Sequence, residues 1–136
     1  GLERIAIPSP AVPLGRYATS WLRSRGWLTA LAGRIVRTEN ARATLVAVDA
    51  GHVDLAILYE SDLRFARNVR LLGRIDPAEH PPIRYVAART RTGADCPGIR
   101  SALTAWRRPE TQRRLEMAGF RVANRDGPSP PAGMED

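Results

Sequence analysis

Three places along the chain carry residue types that can bind a ligand without any charged side chain. Pro13-Leu14-Gly15 follows a short apolar run and opens a helical pattern, and Glu39-Asn40-Ala41 does the same at a second helix. The first N–H groups of a helix have no internal acceptor, and the helix dipole adds a partial positive charge there. Two such starts brought together would hold a small oxyanion by main-chain donors. Tyr59 ends an apolar run, and its hydroxyl can donate to an anion oxygen. The same residues also fit plainer roles. Helix starts are commonly satisfied by caps and water, and a tyrosine at a strand end often caps the core with its ring.

Catalytic groups do not assemble in the sequence. His52 follows the helix-stopping Gly51 and reads as a surface residue, while His80 sits in a proline-rich turn far from it. Neither has ligand-spaced Cys or His beside it, so no metal set is expected. Cys96 precedes Pro97 near a helix start but has no local partner that would make it a nucleophile. Glu39 fits dipole stabilisation in a first turn, and Ser61 and Asp62 fit caps. There is no phosphate-cradling glycine loop. No active site assembles from these residues, so no enzyme is expected, and none of them calls for a cofactor.

These positions need elements to hold them. Arg4–Ile7 is an apolar run ended by Pro8, Pro10 and Pro13, and reads as a buried strand. Tyr17, Ala18, Trp21 and Leu22 then share a helical face that stops at Gly26, with one more turn over 27–31. Ile35 and Val36 suggest a second short strand. Thr38 and Asn40 can cap a helix whose stripe is Ala41, Leu45 and Val48. Val53–Tyr59 is almost wholly apolar and reads as a strand covered on both faces, followed by a short helix through Phe65. Val69–Ile75 and Ile83–Ala88 read as further strands. Asp95 and Pro97 start a helix carrying Ile99, Ala102, Leu103 and Trp106, and Pro109 opens another that ends at Gly119. Strands alternating with helices imply an α/β fold with a mainly parallel sheet flanked by helices, whose carboxyl edge is the usual ligand edge.

Composition narrows the class. The chain has 136 residues, 43% apolar and 26% charged, which suits one globular domain and excludes a disordered protein. No apolar run approaches the ~20 residues of a membrane-spanning helix. The net charge is +7 and all 21 basic residues are arginine. They are spread along the chain without interleaved aromatics, so no nucleic-acid partner is expected. The sequence starts at Gly1 rather than Met, as a processed chain or a fragment would.

The ordered set of Arg4-Ile5-Ala6-Ile7, Val12-Pro13-Leu14-Gly15-Arg16-Tyr17-Ala18, Glu39-Asn40-Ala41-Arg42, Ala56-Ile57-Leu58-Tyr59-Glu60-Ser61-Asp62, His80-Pro81-Pro82-Ile83-Arg84-Tyr85 and Arg108-Pro109-Glu110 through Ala118-Gly119-Phe120 resembles the periplasmic molybdate-binding proteins of bacterial ABC importers. The resemblance spans residues 3 to 120 and covers about the second half of a family chain. It implies one lobe of a type II periplasmic binding protein-like fold, with residues 3–92 as the ligand-binding lobe. Residues 95–120 would be helices returning toward the other lobe, which is absent here, and 121–136 a flexible tail. Ile99, Leu103, Trp106 and Leu115 would then lack native partners and expose apolar surface, or repack on the lobe that is present.

By the same resemblance the ligand is molybdate or tungstate, held by the N–H groups of Leu14 and Ala41 and the hydroxyl of Tyr59, with no direct metal coordination. The partner would be the membrane permease of an ABC transporter, the location periplasmic and the protein a monomer. The family more usually has alanine where this chain has Leu14, which would narrow the cleft, and valine where it has Ala41. An alternative on the same fold is an oxyanion-sensing domain of a transcription regulator.

Overall fold

A computed structural model of the chain describes residues 1–86, 90 and 97–122. The chain divides into two compact units, residues 1–88 and 89–136. The first unit is built on three parallel strands, β1 (Ile5–Pro8), β2 (Ile35–Thr38) and β3 (Leu55–Ala56), in the order β2-β1-β3. Ile5 stands opposite both Ile35 and Leu55, and Ala6 opposite Val36 and Ala56. Helix α1 (Pro13–Ser24) and the single turn α2 (Trp27–Ala30) link β1 to β2, and α3 (Ala41–Asp49) links β2 to β3.

The strand order explains the layers. Going from β1 to β2 and then back past β1 to β3 reverses the direction of travel, so right-handed crossovers put α1 and α3 on opposite faces. Side chains alternate along β1, and all four residues are buried because each face is covered. Ile5 and Ile7 pack with Ala18 and Leu22 of α1, together with the half-buried Trp21, Leu28, Ile35 and Leu55. The opposite face lies against α3, where Thr44 and Leu45 are buried. At roughly 25 cal/mol per Å² of apolar surface, these few large aliphatic residues supply most of the driving force.

The predicted elements β1, α1, α2, β2 and α3 are all present, and the helix expected through Phe65 is a 3-10 turn over Glu60–Phe65. Three expected strands are corrected. Val69–Ile75 forms no strand, and nor do residues 83–86 of the second predicted run, residues 87–88 lying outside the described residues. Both runs have strand-like composition, but neither pairs with the open outer edge of β2 or of β3, and composition alone does not make a ladder. Leu72 at 74% and Tyr85 at 72% exposure show the result. The expected strand Val53–Tyr59 shrinks to two residues, extended by one bond from the N–H of Ile57 to the carbonyl of Ala6; Asp54 is exposed and residues 55–59 are half-buried rather than enclosed.

The 77–79 turn is fastened to α1. Trp21 Nε1 donates to Glu79 Oε2 at 2.8 Å, and Arg25 pairs with the same carboxylate. Two aspartates fasten other loops: Asp54 Oδ2 accepts the N–H groups of Glu3 and Arg4, and Asp49 Oδ1 those of Arg67 and Asn68. These bonds favour the ionised carboxylates and hold both below the ordinary value of 3.8. A lowered folded pKa gives stability that is complete above the unfolded value and lost as pH falls through the folded one. Asp62, raised chiefly by burial, acts in the opposite sense. Asp49→Asn combined with Asp54→Asn should therefore lower the urea midpoint at neutral pH and flatten its decline below about pH 4. An acid profile parallel to that of the parent chain would refute this.

In the second unit, α4 (Pro97–Trp106) and α5 (Pro109–Met117) form a helical hairpin. Thr111 Oγ1 donates to the carbonyl of Ala105, and Gln112 Nε2 to that of Trp106. Gly119 takes φ +84° after the last turn, as the predicted stop requires. Leu103 and Trp106 are 42% and 53% exposed, whereas Ile99 and Leu115 are half-buried. The predicted cap Asp95, the thiol of Cys96 and residues 123–136 of the predicted tail lie outside the described residues.

Candidate functional site

All three strands are parallel, so their carboxyl ends lie on one edge, and each of the three predicted positions follows one of those ends. Leu14 is in the first turn of α1 after β1, Ala41 is the first residue of α3 after β2, and Tyr59 lies three residues beyond β3. The reversal of strand order at β1 also makes this edge a topological switch point, the place where open α/β sheets form a ligand crevice. Topology thus gathers the three predicted residues at one edge.

At the start of α1, the N–H of Val12 donates to the carbonyl of Ser9, and Pro13 has no N–H to place. The N–H groups of Leu14 and Gly15 have no acceptor among the described residues. Val12 contributes no side-chain cap, and the first turn contains no acidic residue. The dipole end is therefore uncompensated. Gly15 lets this turn lie against the preceding loop: a Cβ there would stand 2.0 Å from the carbonyl oxygen of Ser9. The Leu14 side chain is 4% exposed, so the leucine expected to narrow the cleft is packed into the protein instead.

At the start of α3, Asn40 caps the helix as predicted, its Oδ1 accepting the N–H of Ala43 at 2.9 Å. The N–H groups of Ala41 and Arg42 have no acceptor among the described residues, and no acidic residue occupies the first turn. Sequence reading missed the buried hydroxyl pair behind this cap. Thr44 Oγ1 lies 3.0 Å from the carbonyl of Asn40 and 2.6 Å from Thr38 Oγ1. A threonine one turn into a helix, bonding back to the carbonyl four residues earlier, is the signal that could have revealed it.

Tyr59 is half-buried, and its phenol is pushed up to about 12, first by burial, then by Tyr85, Tyr17 and Asp62, against a smaller opposing effect of Arg16. The hydroxyl therefore stays protonated, a donor rather than a phenolate. Asp62 anchors the backbone beneath it: its N–H donates to the carbonyl of Tyr59, and its carboxylate receives a main-chain bond from the same residue. Asp62 Oδ2 is buried without a partner among the described residues. Arg42, next to Ala41, is committed elsewhere, with its guanidinium 4.6 Å from the Phe65 ring centre.

The other candidates are placed as follows. His52 and Glu39 are exposed, and His80 Nδ1 contacts the carbonyl of Pro81 in its turn. Among the described residues no three His, Cys, Asp or Glu side chains gather at metal-holding distance, and no helix is long and apolar enough to cross a membrane. An open hollow lined by Arg42, Leu45, Val46, Asp49, Phe65 and Arg67 lies along α3. Apart from Arg42, its lining residues are not at the sheet edge.

The sequence matches the family model of bacterial extracellular solute-binding proteins over residues 1–121. It is 29% identical over 84 residues to the putative ABC transporter substrate-binding lipoprotein YvgL of Bacillus subtilis, covering 61% of this chain and 32% of that protein. It is 28% identical over 86 residues to the molybdate-binding protein ModA of Escherichia coli, covering 62% of this chain and 34% of that one. Among solved structures, the substrate-binding domain of a putative molybdenum ABC transporter from Clostridium difficile superposes with a TM-score of 0.80 at 20% identity, over 90% of this chain and 54% of the other. The periplasmic molybdate-binding protein of Azotobacter vinelandii gives 0.72 at 21% identity, over 91% and 56%. The matches thus span about a third of each curated relative, and this chain covers just over half of each structural neighbour. The shared architecture is the α/β arrangement expected from the sequence, and the chain belongs to the bacterial extracellular solute-binding protein family.

Proposed function

We propose that this chain is the oxyanion-binding part of a solute-binding component for ABC import, with molybdate or tungstate as its ligand. The carrying observation is the pair of helix starts at one sheet edge, each with N–H groups that have no acceptor among the described residues and no acid in its first turn, beside a protonated phenol. Leu14 and Ala41 donate main-chain N–H, and Tyr59 donates its hydroxyl. Fixed neutral donors suit a dianion because each charge-assisted bond is strong and no side chain must be discharged on release. The reading is supported by the names of the relatives, which include a molybdate-binding protein. It implies a membrane permease as partner, a periplasmic location, and binding rather than catalysis.

Calorimetric titration with molybdate, tungstate, sulfate and phosphate tests the assignment. Molybdate and tungstate should bind more tightly than the other two, and equal or absent binding of all four would overturn it. Tyr59→Phe removes one hydrogen bond to a charged ligand and should weaken molybdate binding about tenfold, with an unchanged melting temperature. Unaltered affinity would mean that the ring serves only the core.

A further inference from the structure

The stretch that carries Tyr59 has already left the sheet. Its last ladder bond runs from the N–H of Ile57 to the carbonyl of Ala6, and Tyr59 stands two residues further on, as the cap of the 3-10 turn Glu60–Phe65. That turn and the residues after it are strapped to α3 at both ends of the helix. At the start of α3, the Arg42 guanidinium lies 4.6 Å from the centre of the Phe65 ring. At its end, Asp49 Oδ1 accepts the N–H groups of Arg67 and Asn68 at 2.8 and 2.7 Å, and Asn68 Nδ2 donates to the Asp49 carbonyl. Between these ties, Phe65, Leu45 and Val46 line one hollow, so the ring borders the surface of α3. Arg64, from the turn itself, brings a second guanidinium to 4.4 Å from the same ring. Neither Arg42 nor Arg64 has a salt-bridge partner among the described residues, and both turn to the ring.

Arg42 is thus a joint between two parts of the site. Its main-chain N–H follows that of Ala41 at the start of α3, with no acceptor among the described residues, while its side chain reaches the turn that Tyr59 caps. We propose that Phe65 is a positioning residue for the anion site: its ring, gripped by Arg42, holds the Tyr59 loop against the start of α3. The proposal rests on the oxyanion reading given above and adds no donor to it. A guanidinium over an aromatic face is attracted by the negative charge of the ring. The tie is therefore directional, and a short turn transmits it to Tyr59. A donor on an untied loop must be ordered when the anion arrives, which subtracts from affinity; a loop ordered beforehand avoids that loss. Phe65 is 47% exposed, so its ring is placed to hold the loop more than to fill the core.

A double-mutant cycle separates positioning from plain structure. Sodium molybdate is titrated calorimetrically into the full chain, Phe65→Leu, Tyr59→Phe and the variant carrying both. Leucine keeps apolar bulk and leaves the net charge alone, but it has no aromatic face. Phe65→Leu should weaken binding about threefold, with the melting temperature preserved. In the Tyr59→Phe background the same change should have little effect, because a displaced ring matters only while it carries the hydroxyl. Phe65→Tyr restores the aromatic face and should bind as the parent does. Full affinity in Phe65→Leu, or an equal loss in both backgrounds, overturns the proposal and leaves the oxyanion assignment standing. Full affinity in Tyr59→Phe removes the donor that Phe65 is said to place, and overturns the proposal with it. Absence of molybdate binding by the parent chain overturns both readings.

Discussion

Gly15→Ala is expected to destabilise the fold by about 3 kcal/mol or more. The added methyl carbon would stand 2.0 Å from the carbonyl oxygen of Ser9, 2.5 Å from its carbonyl carbon and 2.6 Å from the carbonyl oxygen of Pro8. All three are backbone atoms, so no rotamer change can relieve the clash. The glycine is not needed for an unusual φ, since it lies inside α1 with ordinary helical geometry. The constraint is close approach of one backbone to another. Alanine is the better helix former by about 1 kcal/mol, and that gain is far too small to compensate. Relief requires α1 to move away from the end of β1, opening the contact among Ile5, Ile7, Ala18 and Leu22. Overpacking of a buried site ordinarily costs about 1–3 kcal/mol, and a rigid backbone clash lies at or above the upper end. A domain with roughly 5–10 kcal/mol of stability would lose much of it. Urea unfolding followed by circular dichroism measures the change, and a midpoint within error of the parent would refute this account of Gly15. Any variant that folds should also bind molybdate more weakly, because the N–H groups of Leu14 and Gly15 move with the turn.

The close approach at Gly15 marks the boundary of what could be read from the residues alone. The periodic and capped elements were legible because their signals are local. Asn40 before an apolar stripe specifies α3, and proline punctuation isolates β1. Their alternation also implied parallel strands, and with them the common edge for Leu14, Ala41 and Tyr59. Pairing partners were not legible. Val69–Ile75 is as apolar as many strands, but a one-dimensional pattern describes the willingness of a segment to pair, not whether it docks on an open sheet edge. Packing distances were equally hidden. Gly15 reads as part of a helix start, and only the position of Ser9 shows why no other residue fits there. Polar pairs between elements, such as Thr38 with Thr44, need the register of strand and helix before they can be seen.

Thr44→Val should destabilise the protein by about 2 kcal/mol and also weaken anion binding. Valine nearly matches threonine in shape, so the substitution tests the hydroxyl rather than the volume. Thr44 is 0% exposed, and its Oγ1 contacts both the carbonyl of Asn40 and the hydroxyl of Thr38. Thr38 ends β2, Asn40 caps α3, and Ala41 follows directly. One hydroxyl therefore fixes the angle at which strand, cap and helix start meet. Removing it leaves the hydroxyl of Thr38, already half-buried, short of its partner, which makes the loss larger than that of an exposed hydrogen bond. The main-chain donor of Ala41 is useful only while its N–H points at the sheet edge, since hydrogen bonds weaken steeply once bent. A loss of stability with unchanged molybdate affinity would show that the hydroxyl pair supports the fold alone. A loss of both, measured well below the melting temperature, ties the orientation of the helix start to the grip on the anion. Thr38→Val supplies the complementary arm: it removes the other half of the pair but keeps the bond from Thr44 to Asn40, so its effect on binding should be smaller.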